Sequence, residues 1–378
     1  MDPASLINGY DLSSLSVGAL GGHSALDTAF GAKKSGFRSV VVAQKGRDAT
    51  YAKHYRTREG DRGCVDEVIT VKKFSDVLED SVQKQLRTLN TIFLHSRYFW
   101  VYFDDFAKVE NDFQIPIFGS RHLLRLEERS EKFNQYHLLE KAGIRTPKIF
   151  AKPTDIDRLC IVKASEAKRG YERAFFLAGN EPSWEAEGSR LEKEGIVDKS
   201  WRKAIIEEFI VGAQVNFNFF YSPLTREVEL LGTDMRRQTN LDGFLRMTSV
   251  DQAKALKHVE LKMVETGHVA VTVKESLLER AFDLGEKFVK ATQALPKDID
   301  PTGKGIIGPF ALQGAVVAED GKEDIVIFDV SLRTPGSPGI AATPYSSYLY
   351  GHPMTMGERI GREIRQAISE DALEKVLT

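Results

Sequence analysis

Two groups of residues in this 378-residue sequence have side chains suited to chemistry at a fixed spacing. The apolar run 159–163 ends on Lys163, and the apolar run 204–212 carries Glu207, Glu208, Phe209 and Ile210, with Gln214 just beyond. Between them lies the polar stretch 165–173, which holds Lys168, Arg169 and Arg173. Taken singly, each fragment reads first as a strand meeting solvent. In this order they describe two buried strands around a loop, with a cation on one strand and two acids on the other. Such an arrangement suits a nucleotide: the lysine meets phosphate charge, and main-chain groups after Glu207 read the edge of a base.

Further polar groups stand where strands should end. Gly21, Gly22, His23 and Ser24 follow an apolar run and precede a helical pattern, so backbone N–H groups and the helix dipole would favour an anion there. A plain turn with Ser24 as helix cap accounts for the same residues equally well. Ser96 and Arg97 follow a second such run and could reach the ligand of His23. Arg236, Arg237, Asn240 and Asp242 crowd into residues 233–243, where substrate contacts compete with an exposed polar loop. The runs 308–317 and 324–331 predict an antiparallel hairpin around residues 319–321. That hairpin brings Gln313 and Asp329 together, with Ser331 and Arg333 just past them.

These groups need a scaffold, and the hydrophobic periodicity supplies one. Residues 15–20, 25–35 and 39–43 read as a βαβ unit; further strands at 67–71 and 90–94, with a helix at 74–86 between them, build a small doubly wound lobe over residues 1–122 that the segment 115–119 closes. Residues 127–142 predict one long helix, stopped by Gly143 with Pro147 beyond. Strands follow at 215–222 and 227–231. Residues 274–294 predict an amphipathic core helix, and residues 356–376 a long terminal one. The fold class is therefore mixed, α/β followed by α+β.

Composition limits the function. With 52 basic and 54 acidic residues the net charge is -2, so no global field favours nucleic acid or an anionic membrane, and an anionic ligand needs a local basic cluster. The two cysteines, Cys64 and Cys160, have no metal-ligand spacing, and Cys160 lies within an apolar run, as expected in a reducing cytoplasm. No apolar run is long enough to span a bilayer, and residues 1–14 lack the basic-then-apolar pattern of a leader. A cytoplasmic protein is expected.

The ordered pieces resemble the ATP-grasp superfamily. More specifically, they resemble its archaeal formate-dependent FAICAR synthetase family. The resemblance is carried by residues 22–26, the turn Gly143-Ile-Arg-Thr-Pro147, Phe219-Phe-Tyr-Ser222, residues 234–246, Gly308-Pro-Phe310 and the tail Glu363-Ile-Arg-Gln-Ala-Ile368. It implies a pre-ATP-grasp lobe over residues 1–122, then a two-lobed ATP-grasp domain over 123–378 with its lid lobe at about 146–212. The implied reaction converts the amine of 5-aminoimidazole-4-carboxamide ribonucleotide (AICAR) to its formyl derivative, using formate, ATP and Mg²⁺, or Mn²⁺ in its place. Residue by residue it implies ATP contacts from Lys132, Lys163, Lys168, Glu207, Glu208, Phe209, Ile210 and Gln214, and AICAR contacts from His23, Ser24, Ser96, Arg236 and Asn240. It also implies catalytic roles for Lys163 and Arg333, metal positions at Gln313 and Asp329, and a homo-oligomer. The residues depart from the family where glutamate is usual at both metal positions and where the lid is usually glycine-rich. A second reading is therefore a catalytically altered paralogue that binds nucleotide or AICAR as a regulatory subunit.

Overall fold

The computed structural model describes residues 2–378 apart from Asp104, Ser130, residues 165–174 and Met263. The loop cations Lys168, Arg169 and Arg173 lie outside the described residues. Strands β1 (Ser16–Leu20), β2 (Arg38–Gln44), β3 (Glu67–Val71), β4 (Thr91–Leu94) and β5 (Ile117–Phe118) form a parallel sheet in the order β3-β2-β1-β4-β5. Val40 and Val42 pack into one apolar cluster and Val41 into another, so the sheet is buried on both faces, which is why its strands read as unbroken apolar runs. The strand order reverses between β1 and β4. The loops after those two strands, with His23 and Ser96, therefore flank the crevice where doubly wound sheets bind ligands.

Two antiparallel sheets follow. The smaller contains β6 (Ile149–Phe150), β7 (Cys160–Lys163), β8 (Phe175–Ala178) and β9 (Ile205–Glu208) in the order β6-β9-β7-β8. It has its own core of Cys160, Val162, Phe176, Trp184, Trp201 and Ile206. The larger contains β10 (Ala213–Ser222), β11 (Glu227–Gln238), β12 (Glu265–Ala270), β13 (Gly308–Glu319) and β14 (Lys322–Ser331) in the order β12-β11-β10-β13-β14. The helix Leu278–Gln293 covers one face of it, burying Ala281, Leu284 and Phe288 against Phe219 and Phe310.

Two irregularities in this larger sheet aim side chains at its other face. Between Asn218/Phe219 and their partners the register skips Leu231, and between Gln313/Gly314 and theirs it skips Phe328. Side chains alternate along a strand, so one extra residue turns everything beyond it over. Leu230, Ile325 and Ile327 pack in the core, whereas Asp234, Asp329 and Ser331, past the bulges, pair with Asn216, Gln313 and Ala311 on the opposite face.

The structure corrects three expectations. Residues 127–142 are not one helix: a 3-10 turn, Leu124–Glu127, is separated from the helix Gln135–Lys141 by a loop. Asn134 is the cause, because its Oδ1 caps Tyr136 N at 3.1 Å while its amide donates to the carbonyls of Arg129 and Glu131 at 3.0 and 3.1 Å. Strand β11 runs on to Gln238, so Arg236 and Arg237 stand on a strand, not in a turn. The terminal helix ends at Ser369; Asp371, at φ 50°, turns the chain into a last short helix, Leu373–Val376.

That tail returns to the first lobe. Thr378 N donates to Ile117 O at 2.8 Å and Ile117 N to Thr378 O at 3.0 Å, adding the last residues to the edge of the parallel sheet. The helix Met356–Ser369 crosses Ala25–Lys34 in backbone contact: a Cβ on Gly31 would lie 1.9 Å from the carbonyl carbon of Gly357. Asp27 Oδ2 accepts from Gly357 N at 2.9 Å at the same crossing. Gly31→Ala must separate the helices, since backbone cannot rotate away as a side chain can. We expect a loss of about 3 kcal/mol, read as a lower midpoint in thermal or urea unfolding; an unchanged midpoint would mean the crossing is looser than described.

Candidate active site

Three parts of the chain converge on one cleft. From the first lobe, His23 adopts φ 50° in the turn after β1, and its ring packs so closely on the Pro335–Gly336 loop that a Cβ on Gly336 would lie 2.4 Å from it. Burial, then the guanidiniums of Arg333 and Arg97, push the His23 pKa down to about 3, so the ring is neutral. Ser24 Oγ donates to Pro335 O at 2.6 Å, joining the first helix to the loop after β14. Ser96 is buried after β4 and caps the next helix, accepting from Tyr98 N at 3.3 Å.

The larger sheet supplies the floor. Asp234, Asn216, Gln313 and Asp329 occupy paired positions across β11, β10, β13 and β14, forming one polar row. Asp234 accepts from Asn216 Nδ2 at 2.9 Å and Asn218 Nδ2 at 2.6 Å, and contacts His268 Nδ1. His268 Nε2 lies 3.1 Å from Glu265, which also sits 3.4 Å from Arg236 Nε. Arg236 donates to Gln313 Oε1, and Gln313 Nε2 donates to Ser331 Oγ at 2.9 Å. Burial alone would depress the His268 pKa, but the hydrogen bonds to Asp234 and Glu265 outweigh it and raise it to about 9. His23, Arg97, Arg236, His268, Gln313 and Arg333 line one common opening. Three guanidiniums and one imidazolium outnumber the one lining carboxylate, Glu265, and favour an anion there.

The smaller sheet and the loop before it meet the larger sheet beside Asp329. Lys163 Nζ lies 2.5 Å from Glu207 Oε1 and donates to Phe328 O at 3.2 Å, the carbonyl of the bulge residue beside Asp329. Tyr136 OH donates to Glu207 Oε2 at 3.0 Å, and Arg129 Nη2 donates to Asp329 Oδ1 at 3.3 Å. Burial lowers the Lys163 pKa, with Glu207 pulling the other way. Arg333 pairs with Glu127 at 3.4 Å.

The other expected residues are more dispersed. Glu208 alternates outward to Arg158 at 3.1 Å, and Phe209 N is used by Leu159 O at 2.9 Å. Ile210 is half-buried, whereas Gln214 and Lys132 are exposed. Asn240, at φ 44°, donates to Glu260 O and accepts from Lys262 N, both at 2.7 Å, closing its own loop. Sequence reasoning overlooked Arg129, Tyr136, Glu265 and His268. For Asn216 and Asn218 the signal was present, as two polar residues alternating within an apolar strand. As for metal, no cluster of three or more His, Cys, Asp or Glu among the described residues is arranged to hold an ion.

A parallel lobe joined to two antiparallel sheets that meet where Lys163 donates to Phe328 O defines the ATP-grasp class. The ADP complex of the N5-carboxyaminoimidazole ribonucleotide synthetase purK shares this fold, with a TM-score of 0.55 at 11% identity, covering 90% of this chain and 78% of that one. More narrowly, the chain belongs to the family of archaeal proteins named 5-formaminoimidazole-4-carboxamide-1-(beta)-D-ribofuranosyl 5'-monophosphate synthetase. It is 38% identical to the Methanopyrus kandleri member over 374 residues, 99% of this chain and 98% of that one. To the Methanocaldococcus jannaschii member it is 36% identical, over 98% of this chain and 96% of that one. The crystal structure of an IMP biosynthesis protein PurP from Thermococcus kodakaraensis matches with a TM-score of 0.68 at 25% identity, covering 96% of this chain and all of that one. Residues 184–378 match a family described as a domain of unknown function, DUF1297, and residues 17–150 one described as a protein of unknown function, DUF1246.

The His268 clamp predicts a pH dependence. Its pKa rises on folding from 6.5 to about 9, so its contribution is fully present below pH 6.5 and is lost as the pH rises through about 9. The size is roughly 3 kcal/mol at most, at about 1.4 kcal/mol per unit. Urea unfolding of the wild type should weaken over that window, and His268→Gln should remove that component. A wild-type profile that matches the variant's would refute the clamp.

Proposed function

We propose that this protein is an ATP-dependent carbon–nitrogen ligase that formylates the amine of AICAR with formate, giving FAICAR, ADP and phosphate. The observation that carries the reading is the polar row across the larger sheet, which runs from the opening that His23 and Gln313 line to Asp329, where Lys163 of the smaller sheet donates to the neighbouring carbonyl of Phe328. The proposal includes a cytoplasmic location and a homo-oligomer. Among the described residues no helix is long and apolar enough to cross a membrane.

Formate is an anion without a leaving group, so an amine does not attack it. Transfer of the terminal phosphoryl of ATP to a formate oxygen releases ADP and gives formyl phosphate. The amine then attacks the formyl carbon, phosphate leaves with the C–O bonding pair, and the amine loses a proton. The protein's part is to position the reactants, neutralise charge and keep water out. Lys163, held by Glu207, meets the phosphates of ATP. Arg97, Arg236 and Arg333 supply charge for the AICAR phosphate and for formate, and neutral His23 offers a hydrogen bond without competing for a proton. Asp329 and the amide oxygen of Gln313 fit Mg²⁺ when phosphate oxygens complete its shell, since this ion keeps few protein ligands. Bound there, the cation would draw charge from the phosphates.

One feature supports the paralogue as a second reading. Gln313 is neutral and its oxygen already accepts from Arg236. Purified protein with ATP, Mg²⁺, formate and AICAR should yield FAICAR and ADP, read by chromatography. Retained nucleotide binding with no product would instead favour the altered paralogue. In that case Gln313→Glu should raise Mg²⁺-dependent turnover, whereas in an active enzyme adapted to glutamine it should lower turnover about 10-fold or more, the scale of one misplaced electrostatic contact.

A further inference from the structure

Arg129 is a cation beside Asp329 that no sequence pattern singled out. It sits in the loop that Asn134 carves out of the expected helix, and its guanidinium meets Asp329 at 3.3 Å. It also lies over the ring of Phe175, 5.7 Å from the centroid, where β8 begins. Its Nε is buried and, among the described residues, makes no hydrogen bond. A buried guanidinium with an unused donor is costly unless a further acceptor arrives.

The neighbouring cation repeats the pattern. Lys163 is held by Glu207 as Arg129 is held by Asp329, and Tyr136 stands between the pairs, donating to Glu207 and lying beneath Lys163 at 5.8 Å. Each cation is therefore neutralised by its own carboxylate. A triphosphate entering between them meets Asp329 as a repelling charge unless something else takes that carboxylate. A divalent cation does so, and it releases the guanidinium facing the incoming phosphates.

We propose that Arg129 is a catalytic residue that exchanges partners, leaving Asp329 for the terminal phosphate of ATP when a divalent cation occupies Asp329. This rests on the ATP-binding reading above and adds to it the coupling of nucleotide to metal through one named side chain. The exposed Lys132, three residues on, does not share the role.

Calorimetric titration of the full chain with ATP, ADP and AMP, each with and without Mg²⁺, tests this without any turnover. Mg²⁺ should strengthen ATP binding to the wild type far more than AMP binding. Arg129→Met should weaken ATP binding in Mg²⁺ at least tenfold and AMP binding little, with Arg129→Lys between. The distinguishing variant is Asp329→Asn. It removes the competing charge, so metal-free ATP should bind more tightly than to the wild type, and the double variant with Arg129→Met should lose that gain. A thermal melt of each variant confirms folding, and Arg129→Lys serves where Met does not fold.

If Asp329→Asn gives no gain without metal, or if Lys132→Met weakens ATP as much as Arg129→Met, the exchange is overturned while ATP binding stands. A folded wild type that binds no adenine nucleotide overturns the ligase reading as well.

Discussion

Which way the cleft residues point is decided by two extra residues in the larger sheet. In an unbroken strand Leu230, Asp234 and Arg236 would share a face, and so would Ile325, Ile327, Asp329 and Ser331. That would drive two carboxylates and a guanidinium into the cluster around Phe219, Phe288 and Phe310. Leu231 and Phe328 break the alternation, so each strand is apolar-inward at one end and cleft-facing at the other. The second bulge does more than re-aim side chains. It removes Phe328 from the ladder pairing, and its carbonyl accepts from Lys163 of the lid sheet at 3.2 Å. One irregularity thus turns Asp329 toward the cleft and brings the lid lysine beside it.

Gathering so many charges in a poorly hydrated cleft is unfavourable unless each is compensated. Lys163 with Glu207, Arg129 with Asp329, Arg236 with Glu265 and Arg333 with Glu127 supply that compensation. His23 shows the consequence of leaving a group out of the scheme: buried among guanidiniums, it stays neutral. His268 shows the reverse, since two carboxylates hold its proton. Two histidines in one cleft are thereby fixed in opposite charge states, and neither switches near neutrality.

Much of this was legible in the sequence, for identifiable reasons. The parallel lobe announces itself because a sheet buried on both faces leaves continuous apolar runs separated by helical patterns. Lys163 is legible because it ends an apolar run, and Glu207 because it interrupts one. The loop holding Arg129 was not: residues 127–142 keep a helical rhythm, and only a cap placed inside it, Asn134, ends it. His268 had no local signal, since its partner Asp234 is 34 residues away and meets it through strand pairing alone. The bulges were equally hidden, because a regular alternation on paper shows no extra residue until a partner strand fixes the register. For Lys132 and Gln214 the roles came from the resemblance and for Asn240 from a crowd of polar residues as well, and neither says which way an exposed or loop-closing side chain turns.

The two walls of the cleft are also coupled mechanically. Strand β11 carries Asp234 and Arg236 near one end and Glu229 near the other. Arg359 of the helix Met356–Ser369 grips Glu229 with two bonds, at 2.7 and 2.8 Å. The same guanidinium donates to Glu363 at 2.8 Å, whose other oxygen accepts from Ser222 at the end of β10. This helix also presses its backbone on Ala25–Lys34, the helix that follows His23 and Ser24. A shift of the terminal helix would therefore move the cleft floor through β10 and β11 and the first-lobe wall through Gly31 together. Packed interiors transmit such strain because they yield little. The buried ionic cluster around Arg359 sits at the other end of β11 from Asp234 and Arg236, yet it holds the larger sheet to the helix that sets the first-lobe wall.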